Sequence, residues 1–287
     1  MQRGPTVTTA QPGIDEGEHT VQDRIAGHTN SFHTHGFDDA LQGIAAAGYD
    51  LVELSAVGGW TEHVRLTDDV ADVRRKVEAA GLRANALSIH SDLTTDEGVA
   101  YGIDGIRWAA DYGLDLVTTA IGGHASKEES VNDFFSRVGA LADAAEKAGV
   151  TVALEIHGDI MATGEATKPI IERIGSPAIR VKYDTANVEF YGGRKAVDDI
   201  HHVLPYLVNM DMKDKIGGKG EWNFPAPGAG TIDFARLLGI LDDAGYAGPM
   251  AVEIEFQGEP WPSVAEVTEA MRAAREHLLV VGGGAST

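Results

Sequence analysis

Cysteine is missing altogether from the 287 residues. Its absence excludes disulfides, thiolate zinc sites, iron–sulfur clusters and a cysteine nucleophile, so a strong metal site has only His, Asp and Glu to draw on. Positive charge is scarce as well: 23 Lys plus Arg stand against 44 Asp plus Glu, a net charge of −21. Nucleic-acid binding rests on Lys and Arg that neutralise phosphates, and no basic stripe offsets this balance, so a nucleic-acid partner is excluded. No run approaches the roughly 18 uninterrupted apolar residues of a membrane helix. The stretch from Met1 to His19 has no positively charged segment leading into an apolar one. The expectation is a cytoplasmic protein with no membrane partner.

What is present is a repeating pattern. Short apolar, β-branched runs alternate with longer amphipathic stretches. Strands are predicted near Asp23 to His28, Leu51 to Leu54, Ala84 to Ile89, Leu116 to Thr119, Thr151 to Ile156, Ile179 to Tyr183, Leu207 to Met212 and Met250 to Ile254. Helices are predicted over Phe37 to Ala47, Val70 to Ala80, Asp96 to Tyr112, Glu128 to Ala148, Lys168 to Ile174, Val197 to Val203, Phe234 to Ala244 and Val264 to Leu279. Gly48, Gly81, Gly113, Gly149 and Gly245 stand where left-handed helix caps are expected, just before the next strand. Eight strand–helix units describe an α/β protein built as a single (β/α)8 TIM barrel. A doubly wound sheet seldom needs eight units, and no GxGxxG follows the first strand. The division is a mobile N-terminal extension over residues 1–20, the barrel over 21–281 and a mobile tail over 282–287. Lys215 to Thr231, rich in Gly and Pro, follows the seventh strand as a binding loop or lid.

The active site of a parallel barrel lies at the C-terminal ends of its strands. Four ends carry acids: Leu154-Glu155-Ile156-His157, Tyr183-Asp184-Thr185-Ala186-Asn187, Asp211-Met212-Lys213-Asp214 and Val252-Glu253-Ile254-Glu255. Strand side chains alternate faces, so Glu155 with His157, and Asp211 with Lys213, point the same way, into the barrel mouth. Four converging carboxylates are costly unless a cation neutralises them. Each acid taken alone is as readily an N-cap or an ion-pair partner, but all four together point to a metal. Oxygen ligands without thiolates favour Mn²⁺ or Mg²⁺.

These strand ends resemble those of the sugar phosphate isomerase/epimerase family with the xylose isomerase-like barrel. The family includes ketose 3-epimerases, hydroxypyruvate isomerase, inosose dehydratase and inosose isomerase. The likeness runs from Gly27-His28-Thr29-Asn30-Ser31-Phe32 to Glu253. It implies one divalent metal held by Glu155, Asp184, the strand-seven position and Glu253. That third position departs from the pattern, because the family's His-Leu-Lys-Asp is Asp211-Met212-Lys213-Asp214 here, making the site more anionic. Endonuclease IV shares the barrel, but its histidine-rich zinc cluster is not matched; Asn187 stands where one of those histidines would be.

The implied chemistry is removal of a proton next to a carbonyl through a metal-stabilised enediolate, in a keto-sugar or related polyol. Glu155 and Glu253 are the candidates that move the proton. Lys213 is placed near the developing oxyanion, with a salt bridge to Asp214 or Glu255 as its plainer role. His157 and His90 are candidates for substrate contact, ahead of His33, His35, His63 and His124; a satisfied imidazole is the plainer role for His157. Trp60 and Trp222 are candidates for an apolar wall against a sugar, and Asn187 joins them among the substrate-binding residues. The absence of a Walker-type pattern favours an unphosphorylated sugar or glycoside. An isomerase or epimerase is the first expectation. A lyase that expels a β-substituent follows, either an inosose-type dehydratase or a 3-keto-glycoside lyase resembling the α subunit of C-glycoside deglycosidases. A non-catalytic sugar-binding barrel is the alternative of another class. The resemblance also implies a homo-oligomer, with a small second subunit in the deglycosidase case.

Overall fold

The computed structural model of the chain describes residues 20–122 and 128–283; most of the N-terminal extension, the last four residues and His124 lie outside them. Eight parallel strands form the barrel: β1 (Ile25–His28), β2 (Leu51–Val57), β3 (Arg83–Ser88), β4 (Leu116–Thr119), β5 (Thr151–Glu155), β6 (Ile179–Asp184), β7 (Leu207–Met212) and β8 (Met250–Val252). Each pairs with the next, and β1 pairs with both β2 and β8, which closes the ring. A two-residue antiparallel strand, Thr61–Glu62, folds back on β2. The main helices are α1 (Phe37–Ala46), α2 (Val70–Ala79), α3 (Asp96–Tyr112), α4 (Glu128–Ala148), α5 (Gly164–Ile174), α6 (Phe234–Asp243) and α7 (Val264–Gly283).

Local chemistry explains most boundaries. Side chains of Asp69, Thr95, Thr163 and Asp233 accept backbone N–H bonds at the starts of α2, α3, α5 and α6. The five glycines predicted as caps all have positive φ, between 67° and 93°. Helix α5 starts at Gly164, four residues before the predicted Lys168. Gly164 is a poor helix former, but its N–H is held by Asp199 Oδ2 at 2.6 Å. The predicted helix from Val197 is a single turn, Ala196–Asp199, followed by two 3-10 turns. Strand β8 ends at Val252, so Glu253 and Glu255 leave the ladder and enter the mouth.

One large apolar core lies between the barrel and its helices, and a small second cluster, Ala86, Leu116 and Ala153, sits apart from it. Above that cluster the inward positions are charged or polar, including Glu53, Lys182, Asn209 and Asp211, each at most 1 % exposed. Branched aliphatic layers usually fill such a barrel; here charge replaces them beneath the mouth. The segment after β7 is pinned by Asp214, whose carboxylate accepts from the N–H groups of Lys215, Gly228, Gly230 and Ile232 at 2.8 to 3.0 Å. The bonds tie both ends of the predicted binding loop to the barrel and leave Asp214 out of any pair with Lys213.

Packing at the mouth is close enough to test. A Cβ added at Gly98, in the first turn of α3, would lie 1.8 Å from the Asp92 carbonyl oxygen. Gly98→Ala is therefore expected to destabilise the protein by about 1–3 kcal/mol, as overpacking does. The melting temperature should drop by roughly 2–4 °C per kcal/mol for a domain of this size.

Candidate metal centre and substrate cavity

A cavity of about 260 Å³ opens at the C-terminal end of the barrel, lined by residues that include Glu155, Glu253, His157, Lys213, His90, Trp60, Trp222 and Asn187. Asp184 and Asp211 lie beneath it, fully buried. The ten sequence candidates thus come together, eight on the wall and two in the floor. Register explains the floor: Glu155 pairs with Lys182 across β5 and β6, and Asp184 pairs with Asp211 across β6 and β7.

Glu155, Asp184 and Asp211 each offer one oxygen within 4.8 Å of the others. Glu155 Oε1 accepts from Asn187 Nδ2 at 3.0 Å. Asp184 Oδ1 accepts from the N–H groups of Ala186 and Asn187 at 2.8 and 2.9 Å, and Oδ2 makes no hydrogen bond. Asp211 Oδ2 is 2.9 Å from Lys182 Nζ, and Oδ1 makes no hydrogen bond. Glu253 stands apart from this trio, with Oε1 accepting from Asn30 Nδ2 at 2.7 Å. Lys213 bridges the two sides, its Nζ at 3.0 Å from Glu253, 2.9 Å from Glu255 and 3.6 Å from Asp184.

Charge does not balance here. Of the six carboxylates Glu53, Glu155, Asp184, Asp211, Glu253 and Glu255, five form ion pairs with the same two ammonium groups, Lys182 and Lys213, and Glu155 pairs with neither, lying 3.5 Å from His90 Nδ1. Burial accordingly pushes the Glu155 carboxyl up to about 8, Asp184 to about 6 and Glu255 to about 7. Burial acts on Glu253 in the same sense, but the Lys213 ammonium beside it holds that carboxyl well below the usual range. Burial lowers the His28 imidazole, so it is neutral and adds no positive charge. Two orphaned buried carboxylate oxygens amid this excess of negative charge fit a hard divalent cation, and the all-oxygen donor set fits Mn²⁺ or Mg²⁺.

A carboxyl whose folded pKa lies above its unfolded value of about 4 keeps its proton on folding; its contribution is complete below the unfolded value and lost as pH rises through the folded one. For Asp184, Glu255 and Glu155 that window runs from about pH 4 up to pH 8. The metal-free protein is expected to melt at progressively lower temperature from pH 5 to pH 8, and Glu155→Gln to flatten part of that slope. The rise in melting temperature on adding Mn²⁺ should grow over the same interval, because protons and metal compete for the same oxygens. Melting curves in chelator and in Mn²⁺ check both; equal slopes for the wild type and Glu155→Gln would contradict the burial of this charge.

Substrate-facing groups surround the acids. His90 Nδ1 is 3.5 Å from Glu155 Oε2, and the His90 and His157 rings lie 4.6 Å apart, edge to face. His90 has φ 31°, a conformation costing a non-glycine residue on the order of 1–3 kcal/mol. His157 Nε2 is 3.1 Å from the Tyr191 hydroxyl. Trp60 and Trp222 are 48 % and 40 % exposed at the rim, and Trp261 joins them at 36 %. His33 stacks on Trp60 and meets Trp261 edge-on, both at 4.8 Å.

Sequence reasoning missed Lys182, Tyr191 and Asn30 as members of this site; Glu255, expected only as an ion-pair partner of Lys213, is that partner and also lines the cavity. Lys182 precedes Asp184 by two and so shares its face, but that spacing does not say what its ammonium meets. Tyr191 had no such signal, because the single turn Asn187–Phe190 carries it to His157.

The description "Xylose isomerase-like TIM barrel" matches residues 41–277. The L-ribulose 3-epimerase of Methylomonas sp. (strain DH-1) is 29 % identical over 238 residues, covering 75 % of this chain and 77 % of that one. The inosose dehydratase of Serratia proteamaculans (strain 568) is 29 % identical over 163 residues, covering 50 % and 52 %; the chain spans about half the length of that relative. A solved xylose isomerase-like TIM barrel protein from Mycobacterium smegmatis, in complex with magnesium, superposes with a TM-score of 0.72 at 16 % identity, covering 92 % of this chain and 98 % of that one. Among the described residues no helix is long and apolar enough to cross a membrane.

Proposed function

This chain belongs to the xylose isomerase-like TIM barrel family, and on that premise we propose that it is a divalent-metal-dependent isomerase or epimerase of an unphosphorylated keto-sugar or related polyol. The observation that carries the reading is the charge imbalance at the barrel mouth: five carboxylates share two ammonium groups, a sixth, Glu155, pairs with neither, and two of their buried oxygens lack a hydrogen bond. Glu155, Asp184, Asp211 and Glu253 would hold the ion. It would supply Lewis acidity to a substrate carbonyl and its neighbouring hydroxyl.

The chain's own groups divide the proton work. Environments that push two carboxyls apart mark an acid and a base. Glu253, kept ionised by Lys213, would take the proton beside the carbonyl, and Glu155 would return one from the other side. Lys213 also faces the oxygen where negative charge grows. His90 and His157 contact hydroxyls, with His157 fixed by Tyr191. The cavity, about 260 Å³, is near the lower end of ligand pockets, which span roughly 300–1,000 Å³, and suits a single sugar ring. Lys213 is engaged by three carboxylates and Lys215 by the carbonyls of Ile216 and Glu221, which supports a substrate without phosphate. Relatives named as an L-ribulose 3-epimerase and an L-ribulose-5-phosphate 3-epimerase support the reaction class.

The rim supports a second reading. Trp60 and Trp222 line the cavity at its exposed rim, and Trp261 stands beside them against His33, aromatic surface suited to the aglycone of a keto-glycoside. A relative named as an inosose dehydratase points to elimination as well. Ketoses, inososes and 3-keto-glycosides incubated with Mn²⁺-loaded protein and followed by chromatography separate the two. Interconverted sugars with no released group support the isomerase; release of water or aglycone overturns it in favour of the lyase.

A further inference from the structure

Lys182 is a cation directly beneath the proposed metal centre, where its charge would ordinarily oppose a second cation. It is 1 % exposed and sits between two carboxylates, 2.7 Å from Glu53 Oε1 and 2.9 Å from Asp211 Oδ2. Glu53 is a firm anchor: Oε1 also accepts from Thr118 Oγ1 at 2.8 Å, Oε2 accepts from Asn209 Nδ2 at 3.1 Å, and His28 Nε2 lies 3.5 Å away. Thr118, Asn209 and His28 come from three different strands, β4, β7 and β1, so Glu53 is held from around the ring beneath Lys182 Nζ.

Asp211 is shared between two clusters. Its carboxylate reaches both His28 with Glu53 and Glu155 with Asp184. The ammonium of Lys182 fills the first cluster through Asp211 Oδ2. The remaining oxygen, Oδ1, is buried and makes no hydrogen bond.

We propose that Lys182 and Asp211 act as one unit, in which Lys182, anchored on Glu53, offsets part of the charge of Asp211 and turns its free Oδ1 to the divalent ion held with Glu155 and Asp184. The unit offers an oxygen donor whose charge is offset in part, because Glu53 shares the same ammonium. Lys182 is a positioning residue: it touches neither the ion nor the substrate. The inference rests on the metal-dependent reading above.

Opposite signs separate positioning from simple electrostatics. Removing a positive charge near a cation site should by itself tighten metal binding, whereas removing a group that aims a ligand should weaken it. Calorimetric titration of Mn²⁺ into the metal-free protein is expected to show Lys182→Met binding at least tenfold more weakly than wild type. In the Asp211→His background, where the donor needs no partner to aim it, the same Lys182→Met change is expected to cause no weakening. Unchanged or tighter binding by Lys182→Met alone would overturn the proposal. If that variant fails to fold, recovery of folding in Lys182→Met/Asp211→His supports the unit, and failure of the double variant to fold overturns it. Absence of Mn²⁺ binding to the wild type would overturn the metal-dependent reading and this inference together; wild-type binding with the wrong sign in Lys182→Met would overturn this inference alone.

Discussion

Glu155→Gln and Glu253→Gln, made separately, are each expected to slow interconversion of a ketose and its epimer by about 10²–10⁴-fold, the usual contribution of a positioned acid or base. Each tenfold corresponds to about 1.4 kcal/mol of barrier. The two changes remove different halves of the proton path. Glu253 is ionised, beside Lys213 and under the Asn30 amide. Glu155 is buried, hydrogen-bonded by Asn187, and keeps its proton to about pH 8 in the metal-free protein. If each acts on one face of the carbon, Glu155→Gln still exchanges solvent deuterium into the epimer whose proton faces Glu253, and Glu253→Gln shows the converse. Mass spectrometry of recovered sugars, with metal content measured on the same samples, reads both effects. Equal loss of exchange from both epimers in both variants, at full metal loading, would remove the two-sided assignment.

The second large effect concerns Lys213. Its ammonium is 3 % exposed, within 3.6 Å of Asp184, Glu253 and Glu255, and 4.6 Å from the centre of the Phe224 ring. Lys213→Met keeps the length of the side chain and deletes the charge, leaving three carboxylates without their shared partner. Breaking such a buried pair costs about 3–5 kcal/mol. The metal-free variant is therefore expected to melt well below the metal-free wild type. Saturating Mn²⁺ should close much of that gap, because the ion supplies the positive charge the carboxylates have lost. A gap that is the same with and without Mn²⁺ would show that Lys213 contributes packing under Phe224 rather than charge.

The barrel was legible because its signals are local. Apolar runs such as Leu116 to Thr119 and Leu207 to Met212 match the observed strands, and the predicted glycine caps separate five of the helices from the strand that follows. Boundaries moved where tertiary contacts override propensity, as at Gly164, which starts a helix because Asp199 holds its N–H from a distant turn. The site was legible to the extent that it lies on strand ends. Alternation alone placed Glu155 with His157 and Asp211 with Lys213. What escaped depends on pairings across the ring. Lys182 looks in sequence like a strand lysine whose ammonium reaches solvent, and only the closure that brings Glu53 beneath it makes it a buried ion. Glu255, expected as a partner of Lys213, is one because β8 ends at Val252 and the chain turns it onto that ammonium. Asp214 carried the opposite lesson: an acid inside a motif that suggested chemistry is spent holding the loop after β7.

The central claim is that the excess of buried carboxylates exists to hold a cation that makes a carbon acid of a sugar. Its most direct test is deuterium uptake from deuterium oxide into a panel of ketoses, inososes and 3-keto-glycosides, read by mass spectrometry with the protein stripped of metal and with Mn²⁺ restored. The account predicts uptake at the carbon beside the carbonyl of at least one substrate with Mn²⁺, and none with the stripped protein. Full Mn²⁺ loading with no uptake into any member of the panel would contradict it and leave a barrel that binds its ligand without reacting.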